Sequence, residues 1–132
     1  MKTLIKAFLL APLVLAFLSS SVLAQSSATN GVTENIEGFP IMAGLVESYA
    51  KIVMFDKPEG RIIESEVAGP GTVEAAKEFY DESLNQIGWN LLPNGEENTL
   101  KFVKEGELLS LEFGASQNYV VINISLVPYV AP

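Results

Sequence analysis

The chain of 132 residues contains no cysteine and no histidine. Without cysteine it has no disulfide bond to crosslink the fold. Without histidine it cannot build a histidine-dependent catalytic triad, the usual zinc site or a switch that titrates near neutral pH. Basic residues are also few, eight against 16 acidic ones. This balance disfavours nucleic acid and anionic lipid headgroups as partners, because both attract proteins through lysine and arginine.

The first 24 residues predict a secretory signal peptide. Lys2 and Lys6 precede an apolar run over residues 7–18, and Ala24 ends a typical cleavage site. A retained membrane anchor is the alternative, but the run is shorter than the roughly 20 residues that span a bilayer. Cleavage would leave six basic residues against all 16 acidic ones, a net charge of −10. We therefore expect a periplasmic or secreted protein with no membrane span after cleavage.

The remaining chain is expected to form one small domain behind a leader. Residues 25–38 are polar without a sustained period, which predicts a flexible leader, and residues 39–132 predict a single α+β domain. The stretch FPIMAGLVESYA, residues 39–50, is too apolar to stay in solvent. It is expected to cover one end of the core as an irregular segment or short turn that buries its apolar residues Phe39, Ile41, Met42, Leu45 and Val46.

The stretch VMFDKPEGRIIESEVAG, residues 53–69, predicts a β-hairpin with a charged corner. Pro58 has the φ that a turn needs, and Gly60 supplies the positive φ on which hairpin loops commonly end. As a hairpin corner alone, its charges would be exposed. However, Asp56 and Arg61 bracket the turn and no turn rule requires them together, so they are candidate interaction residues.

Residues 72–88 predict one amphipathic helix of about four turns. Thr72 is a good N-cap, and Gly88 stands where a left-handed residue ends a helix. The strands that follow are expected in WNLL, TLKFVK, ELLSLEF and YVVINISLV. The predicted fold is an α+β domain in ββαβββ order, an antiparallel sheet of about five strands covered on one face by the single helix.

Four further patterns suggest sites, each with a structural alternative. Glu64 and Glu66 share a strand face and could hold a cation or act as paired carboxylates, but an exposed polar face has the same pattern and no EF-hand motif occurs. Glu96-Glu97 lies in a predicted turn, where solvated charges are expected. The glycine-rich AGPGT before the helix resembles an anion cradle but lacks the P-loop lysine. Trp89 could stack on a ligand or anchor the core.

The segments GFPIMAGLVE, VMFDKPEGRIIE, EFYDESLNQIGW and LKFVKEGELLSLEF together resemble a group of small exported alphaproteobacterial proteins without an assigned activity. The resemblance covers most of the chain after residue 38. One departure is the segment Met42–Leu45, where the group's pattern has MPGL. The resemblance implies a periplasmic address and an α+β fold, and it implies no catalytic residues.

These observations predict a non-catalytic binding or accessory interaction module of the cell envelope. No catalytic residue, cofactor or metal is expected, and the partner would be an unidentified envelope protein. Asp56, Arg61 and Trp89 are the candidate interaction residues. A carrier of a small apolar ligand between helix and sheet is the alternative, and a hydrolase that uses carboxylates alone is the third hypothesis.

Overall fold

The structure, a computed structural model, describes residues 32–48, 52–93 and 95–132. The predicted signal peptide and the leader up to residue 31 lie outside the described residues. In chain order the elements are the helix α1 (Val32–Asn35), the strands β1 (Val46–Glu47), β2 (Val53–Lys57) and β3 (Gly60–Pro70), the helix α2 (Val73–Gln86), and the strands β4 (Asn90–Leu91), β5 (Thr99–Lys104), β6 (Glu107–Ser116) and β7 (Tyr119–Pro128).

The strands form one antiparallel sheet of seven, with the path β1-β3-β7-β6-β5-β4. Both β1 and β2 pair with the edge of β3 that faces away from β7, β2 near the start of β3 and β1 near its end. A mostly antiparallel sheet with two helices is the α+β-like arrangement that the sequence predicts. The expected count of about five strands in ββαβββ order is not confirmed, because β1 and the helix α1 were not expected and the short strand β4, which WNLL predicts, also joins the sheet.

The helix α2 has the ends that its sequence predicts. The Thr72 hydroxyl accepts a hydrogen bond from the Ala75 amide at 3.2 Å, and Gly88 adopts a φ of 94° just beyond the C-terminal end. Ala76, Tyr80 and Leu84 are the buried residues of its apolar stripe. Tyr80 stacks on Phe39 with ring centroids 5.6 Å apart.

One face of the sheet, called the covered face below, packs against these helix residues in a single apolar core. Burial is complete or nearly so along β3, β5, β6 and β7 at Ile63, Val67, Phe102, Leu109, Leu111, Phe113, Val120, Ile122, Ile124 and Leu126. The alternation of apolar side chains predicted for the last strand is therefore confirmed. The other face, called the open face below, carries no described helix.

The segment before β1 differs from the expected flexible leader. Val32 and Ile36 are buried in the core, so residues 32–38 belong to the folded domain. Glu47 holds this segment in place, because its buried carboxylate accepts hydrogen bonds from the Val32 amide and from the Ser65 hydroxyl at 2.7 Å. The expectation for Val46 is wrong: alternation along β1 points Glu47 to the covered face and leaves Val46 70% exposed.

The hairpin of β2 and β3 forms as predicted, with Lys57 paired to Gly60 across the turn. Gly60 has a φ of 140°, and a Cβ at this position would lie 2.8 Å from Cγ of Pro128. Glycine is therefore required both by the backbone conformation and by the close approach of the last strand.

Candidate functional site

The three predicted interaction residues lie at one end of the sheet, called the hairpin end below. It is formed by the corner of β2 and β3, the turn Glu105-Gly106 and Pro128. Arg61 and Trp89 line a depression of about 100 Å³, and Asp56 and Arg61 line an adjoining one of about 410 Å³. The structure thus brings the three residues to one region, with Arg61 between the other two.

Arg61 is held by contacts within the chain. Its guanidinium forms a two-pronged ion pair with the Glu107 carboxylate, Nε to Oε2 at 2.8 Å and Nη2 to Oε1 at 3.0 Å. Its Nη1 also donates to the backbone carbonyl of Asn35. The hydrogen bond to Glu107 raises the pKa of Arg61, and the nearby Asp56 carboxylate adds to this. Arg61 is therefore engaged within the chain, where it joins three elements of the fold, whereas Asp56 is exposed.

Trp89 is a core residue in this structure, with 3% of its surface exposed. The Nζ atom of Lys104 lies 5.9 Å from its ring centroid and donates to the Ile87 carbonyl at 2.8 Å. Stacking a ligand on the Trp89 ring would require this cover to open, so burial supports the anchor alternative. The indole Nε1 is a buried polar atom without a hydrogen-bond partner among the described residues.

A larger concave surface lies on the open face, in the middle of the sheet. Two rows of polar side chains cross β3, β7, β6 and β5 here and are called the polar band below. Strand register aligns them as Glu64, Ser125, Ser110 and Lys101 in one row, and Glu66, Asn123, Glu112 and Thr99 in the other. Together with Glu96 they line a depression of about 570 Å³.

Apolar side chains border the polar band on the side of the hairpin end. They lie two residues further along each strand and are called the apolar band below: Phe55, Ile62, Val127, Leu108 and Val103. Phe55 is 56% exposed, and the other four are partly buried. Exposed apolar surface bordered by polar groups is typical of interaction sites.

Sequence reasoning found part of the polar band and missed the rest. The prediction that Glu64 and Glu66 share one strand face is confirmed, since both line the depression. Lys101, Glu112 and Asn123 were not singled out. The period-two alternation of β5, β6 and β7 places each on the polar side of its strand, but only the register between strands brings them beside Glu64 and Glu66.

The chemistry available in the polar band is recognition by charge and hydrogen bonding. Within residues 32–48, 52–93 and 95–132, no group of three or more acidic side chains is arranged to hold a metal ion. Lys101 is a single cation among four carboxylates on this surface. Hydroxyl groups and the Asn123 amide add neutral donors and acceptors.

The glycine-rich AGPGT stretch forms hydrogen bonds within the chain. The Gly71 amide donates to the Asn118 carbonyl at 2.9 Å, and the Thr72 hydroxyl satisfies the first turn of α2. Pro70 has no amide hydrogen to offer. The stretch therefore turns the chain into the helix, as its structural alternative predicts.

The space between α2 and the sheet, where an apolar ligand was considered, is occupied by side chains. Tyr80, Phe102 and Leu109 are completely buried there. The 570 Å³ depression lies instead on the opposite face and is lined mainly by polar groups.

In the part of the chain that the structure describes, no helix combines the length and apolarity needed to cross a membrane.

Comparisons with protein-family models, curated proteins and solved structures find no match to this chain. The resemblance to exported alphaproteobacterial proteins therefore stays a prediction.

Proposed function

We propose that this protein is a non-catalytic binding or accessory interaction module of the cell envelope, and that its open face is the binding surface. The observation that carries the proposal is the asymmetry of the sheet. Its covered face is almost wholly buried, whereas its open face presents a concave polar band beside a partly exposed apolar band. A sheet face of mixed character and this size is suited to a protein partner.

The choice of binding over catalysis depends on what the open face offers. Glycoside hydrolysis by carboxylates alone requires two of them held at a defined separation on either side of the bond that breaks, with room for the attacking water. The carboxylates of the polar band instead stand in rows along an open surface, where Glu64, Glu96 and Glu112 are exposed. Such an arrangement distributes charge over an area and is suited to recognition.

The envelope location rests on the predicted signal peptide. Export with cleavage after Ala24 predicts a protein that begins at Gln25, which mass spectrometry of material from the periplasm or medium can measure. Recovery of the chain with Lys2 still attached in a membrane fraction would contradict this part of the proposal.

The binding surface can be tested by crosslinking in living cells of the source organism. A photoreactive amino acid at Asn123 probes the open face, and one at Gln86 on the exposed side of α2 is the matched control. The proposal predicts a discrete crosslinked product from position 123 and none of the same size from position 86. Equal products from both positions, or none from position 123, would contradict it.

A further inference from the structure

We propose that the open face binds a cationic amphipathic helix of a partner protein, with the apolar stripe of that helix on the apolar band and its basic flank on the polar band. This inference rests on the proposed function and adds the chemistry of the partner.

The dimensions of the two bands suit a helix. The apolar band crosses five neighbouring strands, which gives a length of about 19 Å because strands lie roughly 4.8 Å apart. A helix of about 13 residues has this length, at 1.5 Å per residue. The nearer row of the polar band lies two residues away along each strand, a distance of about 7 Å. A helix about 10 Å wide can therefore contact both bands with adjacent stripes of its surface.

The charges of the polar band select the sign of the partner. Glu64, Glu96 and Glu112 are exposed around the depression, and Lys101 is the basic residue among the groups that line it. The whole chain adds to this field with its net charge of −8. Lysine and arginine on the flank of the partner helix would meet opposite charge and associate faster, and acidic segments would be repelled.

Two other occupants fit less well. A second copy of this chain would bring the same acidic rows face to face with these, which like-charge repulsion disfavours. A small polyamine would satisfy the carboxylates but would leave Phe55 uncovered. The cationic amphipathic helix is the occupant that uses both bands.

The experiment measures binding of a labelled helical probe peptide to the exported protein by fluorescence anisotropy. The probe has about 14 residues, with leucine along one stripe and lysine on its flank, and its twin carries glutamate at every lysine position. The open-face variant combines Glu64→Gln, Glu96→Gln and Glu112→Gln. The control variant removes the same number of charges from α2, by Glu78→Gln, Asp81→Asn and Glu82→Gln. All six positions are exposed.

We expect the lysine probe to bind one to one, more weakly as salt is added, and the glutamate twin not to bind. The open-face variant should bind at least about tenfold more weakly, which corresponds to about 1.4 kcal/mol, while the control variant binds like the wild type. Phe55→Ala should also weaken binding several-fold. Circular dichroism verifies that each variant is folded.

The inference is overturned if the lysine probe does not bind, if both triple variants weaken it equally, or if the glutamate twin binds as well. Spermidine, a small polyamine, is added as a competitor of the lysine probe. If it displaces the probe completely and Phe55→Ala has no effect, the surface takes a small polycation and not a helix. If position 123 crosslinks a partner in cells but the open-face variant leaves that product unchanged, the proposed function stands and the cationic helix is excluded.

Discussion

The two faces of the sheet are built from the same strands but differ in how far their side chains are buried. On the covered face, side chains from β3, β5, β6 and β7 interlock with α2 and are almost wholly buried. On the open face, the alternate residues of the same strands form a polar band and an apolar band that no described element covers. The difference indicates that the covered face supplies most of the stability, and it is the basis of the binding role proposed above for the open face. Paired substitutions, one on each face, can test this division.

The largest difference is expected between two phenylalanines. Phe102 is completely buried on the covered face, and Phe102→Ala should lower the free energy of unfolding by about 3 to 5 kcal/mol through lost contacts and a cavity. Phe55 is 56% exposed on the open face, and Phe55→Ala should cost less than about 1 kcal/mol. Urea denaturation measures both. Similar losses would mean that the open face also contributes to the core.

The next largest effect is expected on the covered face at alkaline pH, where the buried Tyr80 should weaken the fold. Burial raises the pKa of Tyr80 from 10.0 to about 12, although the hydrogen bond from the Met42 amide opposes the shift. The folded state therefore holds this proton more tightly than the unfolded state does. The contribution of this proton to the free energy of unfolding is fully present below pH 10 and is lost as the pH rises towards 12. The free energy of unfolding therefore falls by about 2 to 3 kcal/mol over this range.

Tyr80→Phe should abolish this part of the alkaline loss, measured by urea denaturation between pH 9 and about 12. The burial argument fails if Tyr80→Phe shows the same alkaline loss as the wild type.

Two glutamates provide the next comparison. Glu47 is buried and accepts hydrogen bonds from Val32 and Ser65, so Glu47→Gln should cost about 1 to 3 kcal/mol by weakening two buried bonds. Glu64→Gln removes an exposed charge and should change stability by less than about 0.5 kcal/mol. Hydrogen exchange at the Val32 amide would show whether the segment before β1 loosens only in the first variant. Equal protection in both would indicate that Glu47 does not hold this segment.

The smallest expected difference concerns the charges at the hairpin end. Arg61→Gln breaks the ion pair with Glu107 and the bond to the Asn35 carbonyl. The cost should be about 1 to 2 kcal/mol, because the Arg61 side chain is 38% exposed and solvent screens part of the pair. Asp56→Asn should be close to neutral. Thermal melting at low and high salt measures both, and a neutral Arg61→Gln would return this residue to the candidate interaction residues.

Local features of the fold could be predicted from the sequence. The cap at Thr72, the left-handed Gly88 and the positive φ of Gly60 follow from the conformational preferences of single residues. The alternation along β7 follows from the period of a strand. Each of these features depends on residues within a few positions of one another.

Features that depend on distant residues could not be predicted in this way. Arg61 and Glu107 are separated by 46 positions, so the pattern around the hairpin contains no sign of their ion pair. The burial of Glu47 depends on Val32 and Ser65, from two other parts of the chain. The short strand β1 exists because β3 offers it an edge, and its own two residues carry too weak a signal, whereas β4 lies within the strand that WNLL predicts.

The sequence by itself determined the helix α2 with its end residues Thr72 and Gly88, the hairpin with Gly60 at its turn, and which side of each long strand is apolar. Only the tertiary structure decided that Glu64 and Glu66 lie beside Asn123 and Glu112, and that a partly exposed apolar band borders them. The physical reason is strand register. Alternation assigns each residue to a face, but hydrogen bonds between strands that are far apart in the chain decide which residues on that face are neighbours.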